Sequence, residues 1–597
     1  MTEQQSTQIE QWLEEEFAED DGDVSDAPTI DTNHNTDSEN ECSEEELSCS
    51  ASQRPGPSVL SHTSDSDEVS DGQSMSPSTT GKFIYGKNRY KWCTDSFPTS
   101  RIRDHNKIPN LHMPGLKGKA RALRLNEPID YWQLLIDDDI IAVIVKFTNE
   151  KITELSAAYG KTATFVNHVD ATEMRALIGL LYLCGVFKSG NEDAKGLWST
   201  DGTGRDIFRA TMSLKRFLFL LIALRFDDPK ERDAKKQTGD RTAAISEIFE
   251  SFIVNCQSNY SPYEYMTVDE MLVPFRGRCL FRVYMKSKPN KYGIKVMCLC
   301  DAKRHYLLNA FIYSGKWDTP NPRKLTIPTM NVLSLIPPVA NSNRNITGDN
   351  WFSSVELVDE LKRNGLTYVG TLRKNKREIP QPLLPTKQDE EQTAKFCFTK
   401  DKTLVSFVPK KGKYVLLISS MHHTKHIEES GKPEIIELYN TTKSGVDSLD
   451  QKVANYTVHR RTRRWPLAIF YALLDIAGVN AHVLFTSEDS NSKVARRDFL
   501  ISVGKSLITP HIKRRLGDPG LPRALVDVMK NAAGVTSKDA DAAGPSRQEV
   551  GQSRKRKRCF LCPSTNDNKH STVCRQCNKT VCKNHSVLTV CCDECRQ

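Results

Sequence analysis

The carboxy-terminal run of cysteines constrains the chain most. Its spacing is Cys559-x2-Cys562-x11-Cys574-x2-Cys577-x4-Cys582-x2-His585-x6-Cys592-x2-Cys595. Eight soft or borderline donors in four close pairs are the ligand set of two tetrahedral Zn²⁺ ions. In a cross-brace, Cys559, Cys562, Cys582 and His585 share one ion, and Cys574, Cys577, Cys592 and Cys595 share the other. So short a segment has little core, so metal must supply much of its folding free energy. Cys591 is spare, and a one-residue shift lets it replace Cys592; His570 lies outside the pattern. Eight of the 17 cysteines fall between 559 and 595, and the other nine are scattered. That is the usage of a reducing compartment with one metal module, not of a secreted disulfide framework. A RING-type ubiquitin ligase would use the same donors, but here His stands sixth in the ligand order.

The net charge of +8 conceals an asymmetry: residues 1 to 80 hold 21 acids and one base (Arg54), leaving 82 bases against 54 acids in the remainder. A body of about +28 suits a polyanion, with nucleic acid first among them. The acidic arm has few large apolar residues and is expected to be disordered. Trp12, Leu13 and Phe17 stand at helical spacing within it, with a chance cluster as the alternative. The first 20 residues are polar and acidic, unlike a secretory signal. The longest apolar stretch, Leu467 to Phe485, contains Asp475, Asn480 and His482 and reads as a core helix, so no membrane partner is expected.

Between the arm and the tail the pattern is first helical. Apolar residues recur at helical spacing over Tyr131 to Phe147, Glu173 to Phe187 and Ser213 to Phe226. Strand-like runs follow over 263–372, including a hairpin from Gly293 to Tyr313 that turns at Lys303-Arg304-His305. Three acidic clusters stand out. Asp269 follows an aromatic and β-branched run (Tyr263, Tyr265, Thr267, Val268) and is expected to end that strand. Asp349 ends a second run (Asn345 to Gly348), after which Ser353 or Ser354 can cap a helix that stops at Gly365. Asp447 and Asp450, three apart in a helical segment, share one face. Asp301 reads as a turn residue. Acids gathered from such distant positions repel one another unless a hard cation holds them, and a pair of Mg²⁺ or Mn²⁺ ions is the usual occupant. Arg460, Arg461, Arg463 and Arg464 then precede Trp465-Pro466, where Pro466 can open a helix. Arginines suit phosphates and Trp465 suits an exposed base, although an indole packed in the core is the ordinary alternative.

The strings Val268-Asp269-Glu270, Tyr292-Gly293-Ile294-Lys295, Gly348-Asp349-Asn350-Trp351-Phe352 and Gly445-Val446-Asp447-Ser448-Leu449-Asp450 resemble those of piggyBac-type transposases. So do the order of the segments, the basic run before Trp465 and the cysteine-rich tail; the likeness spans about residue 85 to the end. The resemblance implies a multidomain α+β chain with an RNase H-like catalytic core. Its expected divisions are an acidic region 1–116, a helical dimerisation and DNA-binding domain 117–262 and a catalytic part 263–372. A β-rich insertion 373–432, a second catalytic part 433–457, a second helical DNA-binding part 458–535, a linker 536–558 and the zinc module 559–595 complete it. It further implies catalytic Asp269, Asp349 and Asp447 on Mg²⁺ or Mn²⁺, with Asp450 as ligand or support. Trp465 would lie beside the transposon end. The implied activity is cut-and-paste transposition at terminal inverted repeats, with hairpin intermediates and insertion at TTAA, by a homodimer or larger assembly on double-stranded DNA. Arg554 to Arg558 resembles a nuclear localisation signal and can equally edge a DNA-binding surface; the expected compartment is the nucleus. The competing reading is a domesticated relative that binds DNA or chromatin without cutting.

Overall fold

The computed structural model describes residues 30–31, 82–97, 109, 113–534 with short breaks (124, 158, 160–162, 287, 316–320, 387, 489–492), and 557–563, 569–570 and 579–586 of the tail. The remainder of the acidic arm with Trp12, Leu13 and Phe17, most of the 536–558 linker, and Cys574, Cys577, Cys592 and Cys595 lie outside the described residues. The chain divides into two compact units, Met1–Ala532 and Ala533–Gln597.

The larger unit is mixed α and β. A hairpin of β1 (Phe83–Tyr85) and β2 (Lys91–Cys93) precedes the main helices α1 (Pro128–Gln133), α2 (Asp138–Ser156), α3 (Ala171–Val186), α4 (Leu214–Ala223) and α5 (Ser246–Asn259). Side chains of Asp137, Asp170 and Ser213 accept hydrogen bonds from the first-turn N–H groups of α2, α3 and α4. The periodicity from Tyr131 to Phe147 reads as one helix, yet Asp137 caps a new start within it, so the run is divided between α1 and α2. Next come β3 (Tyr265–Pro274), β4 (Arg282–Tyr284), β5 (Tyr292–Asp301), β6 (Leu307–Ile312), β7 (Asn345–Gly348), α6 (Val355–Arg363) and β8 (Thr367–Thr371). Strands β9 (Thr393–Phe398), β10 (Thr403–Lys410) and β11 (Lys413–Ser419) follow, then α7 (Glu434–Thr442), α8 (Gly445–Asn455), α9 (Trp465–Phe485) and α10 (Arg496–Arg515).

One twelve-stranded sheet runs in the order Ile30–Asp31, β4, β5, β3, β7, β8, β11, β10, β9, β2, β1, with β6 beside β5. At its centre β3 pairs antiparallel with β5 and parallel with β7, and β7 pairs parallel with β8. Parallel neighbours need a crossover, and α6 supplies it between β7 and β8. Ser354 caps α6 through the Leu357 N–H (3.0 Å), and Gly365 at φ +63° ends it, as its sequence predicts. Residues 373–432 do not stand apart from the sheet. Through β11 they pair antiparallel with β8, covering an edge that would otherwise be open to association.

Helices pack against this sheet. The core helix α9 is long and apolar enough to cross a membrane by composition, but 89% of its apolar window is buried inside the protein. Its polar residues explain that position: the Asn480 amide accepts from the Leu307 N–H and donates to the Leu307 carbonyl, both at 2.9 Å, continuing the strand pattern of β6. Tyr182 of α3 donates to the Leu474 carbonyl (2.6 Å) and accepts from the Trp132 indole (2.8 Å). Helices α3 and α10 cross at Gly179 and Gly504; a Cβ on Gly179 would lie 2.8 Å from the Gly504 carbonyl oxygen.

Candidate active site

The structure corrects one expectation about Asp269. It does not end a strand; β3 continues to Pro274, and every residue of β3 except Tyr265, Asp269 and Pro274 is buried. The neighbouring strand is what ends. Gly348, the last residue of β7, pairs with Val268, so Asp269 is the first residue of β3 beyond that register, and Asp349 begins just past β7. The two acids therefore open at the same sheet edge. Asp349 accepts from the N–H groups of Trp351 (2.9 Å) and Phe352 (3.4 Å), which fixes its turn into α6.

The third acid arrives on α8. Thr442, closing α7, is tied to the sheet twice: Thr267 donates to its carbonyl (2.6 Å), and its hydroxyl contacts that of Thr347 (2.9 Å). Gly445 then passes so close to β3 that a Cβ there would sit 2.3 Å from the Thr267 hydroxyl oxygen. Only glycine starts this helix without pushing it off the sheet. Asp447 follows in the first turn, and Asp450 lies one turn on with its carboxyl half-buried. All four acids line one open cleft whose other walls carry Lys188, Lys288, Arg373, Lys374, Lys410 and Lys413.

Charge repulsion is visible in the acids. Burial pushes Asp269 well above the carboxylate range, and Glu270, Asp349 and Asp447 push it further. Burial and then Glu270 raise Asp349 to about 6, against the Trp351 and Phe352 N–H groups and Arg373, which lower it. Burial likewise raises Asp450. For an acid with a raised folded-state pKa, ionisation destabilises the fold, so with no cation this cluster loses stability as pH rises through about 6. Carboxylate oxygens are the hard donors that a divalent cation takes, and a cation among them offsets their repulsion.

Two features beside the acids were not legible in the sequence, an ion pair and an inward-turned lysine. Glu270 and Lys295 are both fully buried, with the ammonium 3.9 Å from the carboxylate. Neither Glu270 oxygen accepts a hydrogen bond among the described residues, and the Lys295 ammonium also lies 4.7 Å from the Trp351 ring centre. Lys295→Met would leave a buried carboxylate without its ion pair. It is expected to destabilise the larger unit by about 3 kcal/mol, read as a lower denaturant midpoint. Lys288 is the second: burial works against its charge, but Asp269, Asp447, Glu270 and Asp450 push it up to about 12.

In the tail, Cys559, Cys562, Cys582 and His585 converge, their ligand atoms all within 4.8 Å of one another. The sulfurs of Cys562 and Cys582 are 3.7 Å apart, and the His585 Nδ1 lies 3.7, 3.5 and 3.3 Å from the sulfurs of Cys559, Cys562 and Cys582. A tetrahedral ion about 2.3 Å from each sulfur spaces the sulfurs about 3.8 Å apart. The cluster is compatible with zinc, and its members are the first and third pairs of the spacing.

The family model described as Transposase IS4 matches residues 127–482, more than half of the chain. A solved cryo-EM structure of a piggyBac transposase synaptic complex with hairpin DNA superposes with a TM-score of 0.67 at 33% identity, over 81% of this chain and all of that one. The chain belongs to the piggyBac transposase family. Relatives include two human proteins, PiggyBac transposable element-derived protein 2 (23% identical over 389 residues) and protein 3 (22% over 370). The first match covers 62% of each chain, the second 59% of this chain and 60% of the relative. The chain thus spans about three fifths of the length of these relatives.

Within this transposase-family chain, the arginine run divides by environment. Arg460 donates to the carbonyls of Ser189 (3.2 Å) and Glu192 (2.9 Å), and Arg464 to those of Leu221 (3.2 Å), Ile222 (3.1 Å) and Leu224. These two close helix and loop ends of the helical region. Arg461 is exposed and Arg463 half-buried. Trp465 opens α9 half-buried, edge-on to Phe281 with ring centres 5.0 Å apart, and Pro466 stands in the first turn as the sequence predicts. Asp475, buried within α9, accepts from the Thr457 hydroxyl (2.6 Å) and the Val458 N–H (2.8 Å), pinning the chain between α8 and the arginines. Asp301, read as a turn residue, does hold the β5 to β6 turn, accepting from the N–H groups of Lys303 (2.8 Å) and Arg304 (2.9 Å).

Proposed function

We propose that this chain is a metal-dependent DNA transposase that cuts and joins DNA strands in the cleft between β3, β7 and α8. The observation that carries the reading is the meeting of Asp269, Asp349 and Asp447, distant in sequence, at the base of a cleft with lysine and arginine walls. The central order β6, β5, β3, β7, β8, with β5 alone antiparallel to β3 among the inner three, supports an RNase H-like core. Asp269, Asp349 and Asp447 would hold Mg²⁺ or Mn²⁺, with Asp450 as a further ligand or a support. When bound, the cations supply activation of water or a 3′ hydroxyl and stabilisation of the leaving oxygen. The carboxylates position and form no covalent link to DNA; the basic walls bind phosphates and set the register of the duplex.

The solved relative's complex with hairpin DNA supports double-stranded transposon ends as the substrate, cut with hairpin formation, and the family resemblance supports insertion at TTAA by a homodimer or larger assembly in the nucleus. An excision assay with the element's own terminal repeats tests this. Release of the element with the TTAA site restored is expected; binding without any cleavage in Mg²⁺ or Mn²⁺ would replace the reading with that of a DNA-binding relative.

Trp465 separates two roles in the same assay. If it stacks on a base exposed at the opened flank, Trp465→Ala loses about 1 to 3 kcal/mol at hairpin formation and Trp465→Phe keeps part of it. Thermal stability then changes little, because the ring is only half-buried. A lowered melting temperature with all activities reduced together would assign it to packing instead. For the arginines, Arg461→Ala is expected to reduce the slope of log affinity against log salt by about one, without changing sequence preference.

A further inference from the structure

The loop joining β4 to β5 carries three lysines, Lys286, Lys288 and Lys291. Lys286 and Lys291 are exposed, whereas the Lys288 side chain keeps only 15% of its surface. The loop is closed on itself by the Met285 N–H on the Lys291 carbonyl (2.7 Å) and the Lys288 N–H on the Met285 carbonyl (3.3 Å), which turns the middle lysine inward. Its ammonium donates to the Asp447 carboxylate and to the Glu270 carbonyl, each at 3.3 Å. The second contact matters most. A lysine that merely answers an exposed aspartate has no reason to reach the backbone of β3 next to Asp269.

The ammonium thus lies among the acids, a hydrogen-bond length from the Asp447 carboxylate and, at the Glu270 carbonyl, from the β3 backbone beside Asp269. A phosphate brought to these acids would meet the same ammonium, a donor suited to its oxygens. We propose that Lys288 is a catalytic residue: its ammonium is the internal cation of the acid cluster until a divalent ion displaces it, and it then binds a non-bridging oxygen of the scissile phosphate. This rests on the reading of the acids as a metal site. It has two consequences with opposite signs. Removing the ammonium takes away a competitor for the acids, so metal binds more tightly; it also takes away a phosphate contact, so cleavage slows.

Both are measurable on the full-length, zinc-loaded protein. Free Mn²⁺ counted by electron paramagnetic resonance is expected to give Lys288→Met an affinity about tenfold tighter than wild type, with Lys288→Arg near wild type because the charge is kept. Cleavage of a duplex bearing the element's own terminal repeat, at saturating Mn²⁺, should be at least about tenfold slower in Lys288→Met and partly restored in Lys288→Arg. Unchanged or weaker Mn²⁺ binding by a folded Lys288→Met, or cleavage as fast as wild type, overturns the proposal while leaving the metal site standing. Asp349→Asn separates the two failures. If it binds Mn²⁺ as well as wild type does, the acids are not the metal site, and the role of Lys288 falls with them.

Discussion

Asp349→Asn is expected to reduce strand cleavage on the order of 10³-fold or more, while affinity for the terminal repeats stays within a few-fold of wild type. The substitution removes a charge and one hard donor with almost no change of shape. Its backbone partners can stay in place, because the remaining amide oxygen still accepts from the Trp351 and Phe352 N–H groups. Asp269→Asn and Asp447→Asn are expected to behave alike. For Asp269→Asn and Asp349→Asn, stability should move the other way from activity. Burial and mutual repulsion raise Asp269 and Asp349, so neutralising either relieves the cluster at neutral pH, and the metal-free variants should melt no lower than wild type. Gel binding, excision and melting on the same preparations decide the matter. Wild-type excision from any one of the three would remove that residue from the catalytic set, and loss of binding together with stability would mean that the change had damaged the fold.

The acids were singled out by short strings that resemble those of a known family, and each string also holds residues that place its acid. Gly445, two residues before Asp447, and Gly348, next to Asp349, are parts of the same devices that the structure shows, one a close approach of helix to sheet and the other the end of β7. The location of Asp269 was misread for the complementary reason. A strand end is inferred from composition, but the edge at Asp269 is made by a neighbouring strand some 80 residues away in sequence, and pairing register is not written in β3 itself. The same limit hid Lys288 and the Glu270 to Lys295 pair. One lysine among three in a loop carries no signal, and which of them turns inward depends on Asp447 and on the β3 backbone. Residues 373–432 illustrate it again. A β-rich insertion is expected there and strands β9 to β11 form, yet that β11 extends the central sheet is decided by its meeting β8.

The cysteine-rich tail should show the other large effect, because if its cluster holds zinc as proposed, metal would stand in for a core there. Among its described residues only Cys559, Val581 and Cys582 form a buried apolar cluster, with Cys562 packed against it. Burial among these residues is small, and two of the three, Cys559 and Cys582, belong to the candidate zinc set. Structural zinc in small modules contributes on the order of 10 to 16 kcal/mol, so chelation should unfold the tail completely. Metal analysis of the full-length protein is expected to return two Zn²⁺ per chain, one held by Cys559, Cys562, Cys582 and His585 and the other by Cys574, Cys577, Cys592 and Cys595. Cys582→Ser should lower the count to one. It replaces a thiolate that lies 3.3 Å from the His585 Nδ1 and 3.7 Å from the Cys562 sulfur with a hydroxyl that binds zinc poorly. Because the larger unit has its own core, protease treatment after chelation should cut the chain after about residue 533 and leave the part of the preceding unit beyond the acidic arm whole. One zinc in the wild-type protein would refute the eight-ligand scheme, and a tail that stays protected after chelation would show that something other than metal holds it.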